Sequence, residues 1–301
     1  MEGTNTIKCI CILGLLISFN ISMAAQSNMK EDFSWQGHRG ARGLYPENSL
    51  DGFLLSMDIP LVNTLELDLV VSKDNQLIIS HEPWMNEDIC TGKQGQTTGK
   101  EANLYHMDYA EIQSYDCGLQ GNPSFPQQKR KSSAKPLFED FLDAVLEKAM
   151  AENKAIPYLN VELKSKASWY GEYCPHPKEY VQLMFEVLKN SSYPIDRICI
   201  QSFDKNILIA YNELDENQTL SFLVSFKTKL KKTKKLLGFT PDIISPRYST
   251  LSKRIIQGYH KEAVLVIPWT VNDAEEMTKL INMGVDGIIS DYPNLYERVN
   301  Y

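Results

Sequence analysis

Several things are scarce in this sequence, and each shortage excludes something. Among 301 residues there are six cysteines and five histidines, and no two of Cys90, Cys117, Cys174 and Cys199 have zinc-finger spacing. Positive charge is in deficit, with 31 Lys and Arg against 38 Asp and Glu, a net charge of −7. Sequence-blind nucleic-acid binding needs the opposite sign, so a nucleic-acid partner is not expected. There is no Gly-x-Ser-x-Gly elbow for a serine hydrolase. A phosphate loop fails near Gly92, because Gln94 stands where Gly is required and Glu101 replaces the magnesium-holding Ser or Thr. A zinc-protease helix cannot start at His81-Glu82, because Pro83 follows and Met85 takes the second histidine position.

Long apolar runs are scarce too. Residues 7–21 are mostly apolar but are interrupted by Lys8, Gly14, Ser18 and Asn20, and a bilayer span takes about 20 apolar residues. Followed by Met23-Ala24-Ala25, the run has the layout of a secretory signal peptide. Residues 1–25 are therefore expected to be removed, leaving a domain over 26–301 exported to a periplasmic or extracellular space. In that oxidising setting Cys90 and Cys117, in one loop-rich region, form the candidate disulfide. Cys199 lies in an apolar strand pattern and reads as a small buried hydrophobe.

What is present suits one large globular domain: 43% apolar and 23% charged residues. Strand patterns fall at 34–39, 64–71, 77–80, 158–163, 197–202, 220–224, 242–245, 264–270 and 287–290. Helical spacing occupies 48–57, 137–149, 180–189, 206–214 and 273–283. Such alternation predicts a largely parallel sheet with helices outside it. Only five residues separate 71 from 77, too few for a parallel crossover, so 77–80 should fold back as a hairpin around Asp74-Asn75. Setting that strand aside leaves eight, which predicts a (β/α)₈ barrel, with a doubly wound sheet as the alternative. Residues 83–135 break the pattern as a loop-rich insertion of the kind that is usually functional. The lysines of 227–235 read as a solvated helix face.

Polar residues cluster where barrel active sites are built, at the C-terminal ends of the strands. Glu66 and Asp68 are two apart on a strand, roughly 6.6 Å between Cα atoms, and leave the same face. With Leu65, Leu67 and Leu69 on the other face under the helices, the carboxylates must point into the barrel. Glu162 and Lys164 repeat the arrangement. Three carboxylates gathered in one mouth call for a hard divalent cation, Ca²⁺ or Mg²⁺, or else for a salt-bridge network with Lys164 and Arg39. His38 and His81 each follow an apolar strand pattern, and a histidine pair beside such a site suits acid and base work. Arg39 and Lys164 supply fixed positive charge suited to a phosphate. His106, His176 and His260 lie in loop or helix contexts and read as surface residues.

These residues, taken in order, carry a resemblance. His38-Arg39-Gly40, Pro46-Glu47-Asn48, Glu66-x-Asp68, the hairpin to His81, Glu162-x-Lys164, Gln201-Ser202-Phe203, Trp269-Thr270-Val271-Asn272 and the run from Gly284 to Asp291 together resemble the glycerophosphodiester phosphodiesterases. The resemblance runs from about Trp35 to Pro293. It implies a metal-dependent barrel that hydrolyses small glycerophosphodiesters to sn-glycerol 3-phosphate and an alcohol. It also implies Glu66, Asp68 and Glu162 as cation ligands, His38 and His81 as the acid/base pair, and Arg39 and Lys164 as phosphate contacts. Glu47, Gln201 and Trp269 are then expected in the substrate pocket. Glu82 replaces the Asp common after the second histidine, and the Arg-Thr-Thr-like run gives way to Cys90-Thr91-Gly92, which bears on substrate preference. Two other readings remain: a phospholipase D-like or phosphoinositide-cleaving barrel with an apolar rim from Trp84-Met85 or Trp169-Tyr170, and a silent binding barrel.

Overall fold

The computed structural model describes residues 33–93 and 96–299, so the expected signal segment, with Cys9 and Cys11, lies outside the described residues. Eight parallel strands form the barrel wall: β1 (Ser34–Gly37), β2 (Thr64–Val71), β6 (Tyr158–Leu163), β7 (Ile198–Ser202), β8 (Thr219–Val224), β9 (Ile243–Pro246), β10 (Leu265–Val266) and β11 (Gly287–Ser290). They are ordered β10-β9-β8-β7-β6-β2-β1-β11, with β11 parallel to β1. The remaining seam, between β10 and β11, is joined by three backbone bonds: Asp286 N to Val266 O, Ile289 N to Pro268 O and Val271 N to Ile289 O. Pro268 has no N–H to give a ladder, so a strand pattern read over 264–270 forms regular strand only at Leu265–Val266.

The wall folds as a barrel because its strands are buried on both faces. Every residue of β2 is buried, with Leu65, Leu67 and Leu69 wholly so, as a strand covered by helices requires. Helices α1 (Leu50–Ser56), α3 (Phe138–Ala151), α4 (Pro177–Asn190), α5 (Lys205–Leu214), α6 (Leu230–Leu237), α7 (Lys253–His260) and α8 (Ala274–Met283) fill the crossovers, and α2 (Tyr109–Ile112) lies in the insertion. Their starts are capped locally: Ser49 Oγ accepts from Gly52 N, and Asp273 from Glu275 N and Glu276 N. In α6, Leu230, Thr233 and Leu237 face inward while its lysines stay in solvent.

β3 (Leu77–Ile79) pairs antiparallel with the end of β2, Leu69 opposite Ile79. The turn between them uses Asn75 at φ 59°, a left-handed conformation that Asn tolerates. The insertion is more than loop. β4 (Trp84–Met85) pairs with β5 (Gly99–Asn103), and Met85, Ile89, Leu104, Ile112 and Tyr115 form an apolar cluster on Ile78. The Cys90–Cys117 disulfide ties this cluster together, while Cys174 is buried and Cys199 half-buried, both free. Met85 is buried and offers no apolar rim. Trp84 instead packs edge-on against Trp169 and Tyr173.

Candidate active site

The first turn after β1 sets the geometry of the mouth. A Cβ on Gly37 would lie 2.0 Å from the Gly40 carbonyl oxygen, so only glycine allows this turn. Arg39 itself sits at φ 51°, a conformation costly for a side chain that size. That twist aims the Arg39 amide at Glu66, whose Oε2 accepts it at 2.9 Å. Glu66 Oε1 takes a second bond, from Gln201 Nε2, at 2.8 Å.

Strand register assembles the carboxylates. Asp68 stands opposite Glu162 on β6, and Glu162 opposite Gln201 on β7. Ligand oxygens of Glu66, Asp68 and Glu162 all lie within 4.8 Å of one another, and all three residues are buried. Asn48 Nδ2 donates to Asp68 Oδ2 at 2.9 Å. Lys164 Nζ lies 2.9 Å from Glu162 Oε1 and 3.6 Å from Asp68 Oδ1, and Arg39 Nε lies 3.3 Å from Asp68 Oδ2. Asp68 is held well below the usual carboxylate range because Lys164 and Arg39 outweigh its burial. Glu66 is pushed well above it by burial and the Asp68 charge, and Glu162 is pushed up to about 7 by burial and Asp68 against Lys164. The two local cations therefore pair with Asp68 and Glu162 and leave Glu66 with hydrogen bonds alone. An all-oxygen donor set with unneutralised charge fits a hard divalent cation, and the salt-bridge alternative leaves Glu66 uncompensated.

Each histidine is fixed by a carboxylate. His38 Nδ1 is 2.5 Å from Asp291 Oδ1, and His81 Nδ1 is 2.6 Å from Glu82 Oε1. His38 and Arg42 hold Asp291 below the usual range despite its burial. The His81 bond and charge hold Glu82 down at about 2 against its burial. Both carboxylates are thus ionised acceptors, and each Nδ1 carries the proton. Burial lowers His38 to about 4 despite Asp291, and burial with Lys164 and Arg39 lowers His81. With Nδ1 engaged, Nε2 is the ring atom left to exchange a proton, and His38 Nε2 lies 3.8 Å from Glu66 Oε2.

A cavity of about 140 Å³ opens here, lined by His38, Arg39, His81, Glu66 and Glu162 and by the apolar side chains of Phe203, Leu223 and Trp269. Gln201 lines it as well. Trp269 is steadied by Nε1 donating to Ser245 O at 2.8 Å and by an edge contact with Phe203. Glu47 lies elsewhere. It binds Arg39 Nη1 at 2.9 Å and accepts from Asn122 Nδ2 of the insertion, which places it behind Arg39 and off the main cavity's lining. His106 and His176 are exposed, and His260 bonds Asp286 away from the mouth.

Two residues at the site had no role in the sequence reading. Asp291 stood only in a motif, and its pairing with His38 spans 253 residues, which no local pattern encodes. Arg42 lines the cavity and reaches Asp291 through Nε at 2.5 Å and Nη2 at 3.3 Å. Asn272 Nδ2 completes the set around that carboxylate at 2.7 Å.

Residues 38–295 match the Glycerophosphoryl diester phosphodiesterase family. A glycerophosphodiester phosphodiesterase of Bacillus subtilis is 25% identical, with 98% of each chain covered. A human lysophospholipase D is 24% identical, with 85% of this chain and 82% of the relative covered. A crystal structure from Silicibacter pomeroyi that bears the family's name superposes with a TM-score of 0.77 at 27% identity, covering 87% of this chain and 91% of that one. An Oleispira antarctica phosphodiesterase, solved with its product sn-glycerol-3-phosphate, gives 0.70 at 21% identity, covering 87% and 94%. Since that family spans the barrel from the histidine after its first strand to the helical turn after its last, the chain belongs to the glycerophosphoryl diester phosphodiesterase family and is a phosphoric diester hydrolase.

Proposed function

We propose that this chain cleaves glycerophosphodiesters to sn-glycerol 3-phosphate and an alcohol, with one divalent cation, Ca²⁺ or Mg²⁺, and with His38 and His81 as the acid/base pair. The observation that carries this reading is the pair of imidazoles, each tied at Nδ1 to a carboxylate, on the walls of one cavity with Glu66 and Glu162. Glu66, Asp68 and Glu162 would hold the cation, which when bound would neutralise charge growing on the phosphate. Arg39, on the cavity wall, and Lys164, against Glu162 and Asp68, add positive charge for the phosphate oxygens. Proton transfer runs through the two Nε2 atoms: one imidazole enters neutral and draws a proton from the attacking hydroxyl, and the other enters protonated at both nitrogens, a state the bound anionic diester favours, and gives its Nε2 proton to the leaving oxygen. Asp291 and Glu82 keep each ring in the tautomer that permits this. Phe203, Leu223 and Trp269 give the cavity its apolar lining and receive the apolar edge of glycerol or the released alcohol.

Export belongs to the same reading. It is supported by the apolar run at 7–21 before Met23-Ala24-Ala25, and by the Cys90–Cys117 bridge, which suits an oxidising compartment. The test is a panel of glycerophosphodiesters assayed with each cation. His38→Ala and His81→Ala should each lower kcat on the order of 10²–10⁴-fold with the fold kept, and near-normal rates would refute their roles. A lipid substrate is the second reading, favoured by Phe203, which lines the cavity and is 40% exposed. Turnover of lysophosphatidylcholine without turnover of glycerophosphocholine would select it.

A further inference from the structure

The chemistry above leaves one buried cation beside the site unused. Lys135, near the end of the insertion, is only 6% exposed, a rare place for an ammonium group. Its backbone is firmly held. Ile79 N donates to Pro136 O at 2.9 Å, Leu137 bridges Ile78, and Tyr109 Oη donates to the Lys135 carbonyl at 3.3 Å. This short extra edge along β3 lays the side chain over the turn that carries His81.

The contacts there form a chain. Lys135 Nζ donates to Ser80 Oγ at 2.8 Å, and Ser80 Oγ donates to the Glu82 carbonyl at 2.7 Å. Ser80 N donates to the Asp68 carbonyl at 2.9 Å. The residues on both sides of His81 are therefore fastened by one hydroxyl, and that hydroxyl is fastened by Lys135. Burial disfavours the ammonium here, and the charges of Glu82, Glu47 and Asp68 oppose that effect. Lys135 and His81 also share a water-sized cavity of about 10 Å³ with Glu47 and Ser133. Fold stability alone does not call for charge at this place, since apolar side chains of similar volume often replace buried ions without loss.

We propose that Lys135 is a positioning residue: through Ser80 and the Glu82 carbonyl it holds the His81 imidazole in its working place. The inference rests on the hydrolytic reading above and gives the insertion a part in the site.

The experiment measures kcat and KM on glycerophosphocholine and on the p-nitrophenyl diester of glycerol phosphate, at saturating cation. The proteins are wild type, Lys135→Met, Ser80→Ala, the double variant and His81→Ala. Lys135→Met and Ser80→Ala should each lower kcat about tenfold with KM changed less than about twofold, and the double variant should be no worse than the poorer single. Both should show the same dependence on leaving group as His81→Ala. Ser80→Ala carries the test alone if Lys135→Met fails to fold. Unchanged kcat, losses that multiply, or a rise in KM alone would overturn the proposal. Wild-type turnover with collapse in His81→Ala reports on the hydrolytic reading separately, and no wild-type turnover on either diester would sink both.

Discussion

At the scale of single residues, the site is governed by which carboxylates are compensated. Asp291 accepts from His38, Arg42 and Asn272, so its anion is satisfied and can hold a histidine proton in place. Asp291→Asn would offer an N–H where His38 needs an acceptor, turning the ring toward the wrong tautomer. The expected outcome is a kcat lower by about 10²-fold or more at unchanged melting temperature, read by steady-state kinetics. Glu66 pairs with no lysine or arginine among the described residues, Glu162 stays raised even beside Lys164, and their titration has a definite sign. Glu162 binds a proton up to about pH 7 in the folded chain against 4.5 ordinarily. Its contribution without a cation is therefore fully present below about 4.5 and is lost as pH rises through 7. His38 has the opposite sign: lowered from 6.5 to about 4, it contributes fully above 6.5, and that contribution is lost as pH falls toward 4. A cation competes with protons only at the carboxylates, so the melting-temperature gain from added Mg²⁺ or Ca²⁺ isolates them. That gain should be several degrees near about pH 8 and shrink toward zero near about pH 5. A gain independent of pH would contradict the ligand assignment. The carboxylate set was legible in the sequence because the two-residue period puts Glu66 and Asp68 on one face. The Asp291 and Arg42 partners were not, because tertiary closure alone brings them to His38.

At the scale of elements, the regular wall could be read from local pattern, and the departures have local causes. β2, β6 and β11 fall where the apolar runs place them, at Thr64–Val71, Tyr158–Leu163 and Gly287–Ser290. The run at 264–270 looked like a full strand, but Pro268 removes a donor and leaves a two-residue strand with a bulged seam. Helix α7 was missed because its pattern is short, with only Ile256 and Tyr259 buried. The insertion's order was illegible because its apolar cluster borrows Ile78 and Val70 from the barrel. The Cys90–Cys117 bridge closes a loop across 27 positions of this insertion. Replacing both cysteines with serine should cost about 3–4 kcal/mol, checked by urea unfolding of the oxidised and substituted proteins. Equal stability would mean that the cluster holds without the bridge. Because Cys117 N donates to Ser133 O at 2.7 Å, kcat should fall along with stability.

At the scale of the whole molecule, a chain of net charge −7 acts on an anionic diester by concentrating its cations. Arg39, Arg42 and Lys164 converge from the loop after β1 and the end of β6, and the surface lysines of α6 stay in solvent. The barrel makes this convergence possible, since adjacent parallel strands bring residues a hundred positions apart into register, as Asp68 and Glu162 show. The central claim is that the three-carboxylate cluster and the two carboxylate-held histidines act together on a phosphodiester. Its most direct test follows ³¹P NMR of glycerophosphocholine with the wild-type chain after chelation and again after Mg²⁺ or Ca²⁺ is restored. The account expects no sn-glycerol 3-phosphate in the chelated sample and its signal to grow once cation returns; hydrolysis that continues undiminished under chelation would contradict it.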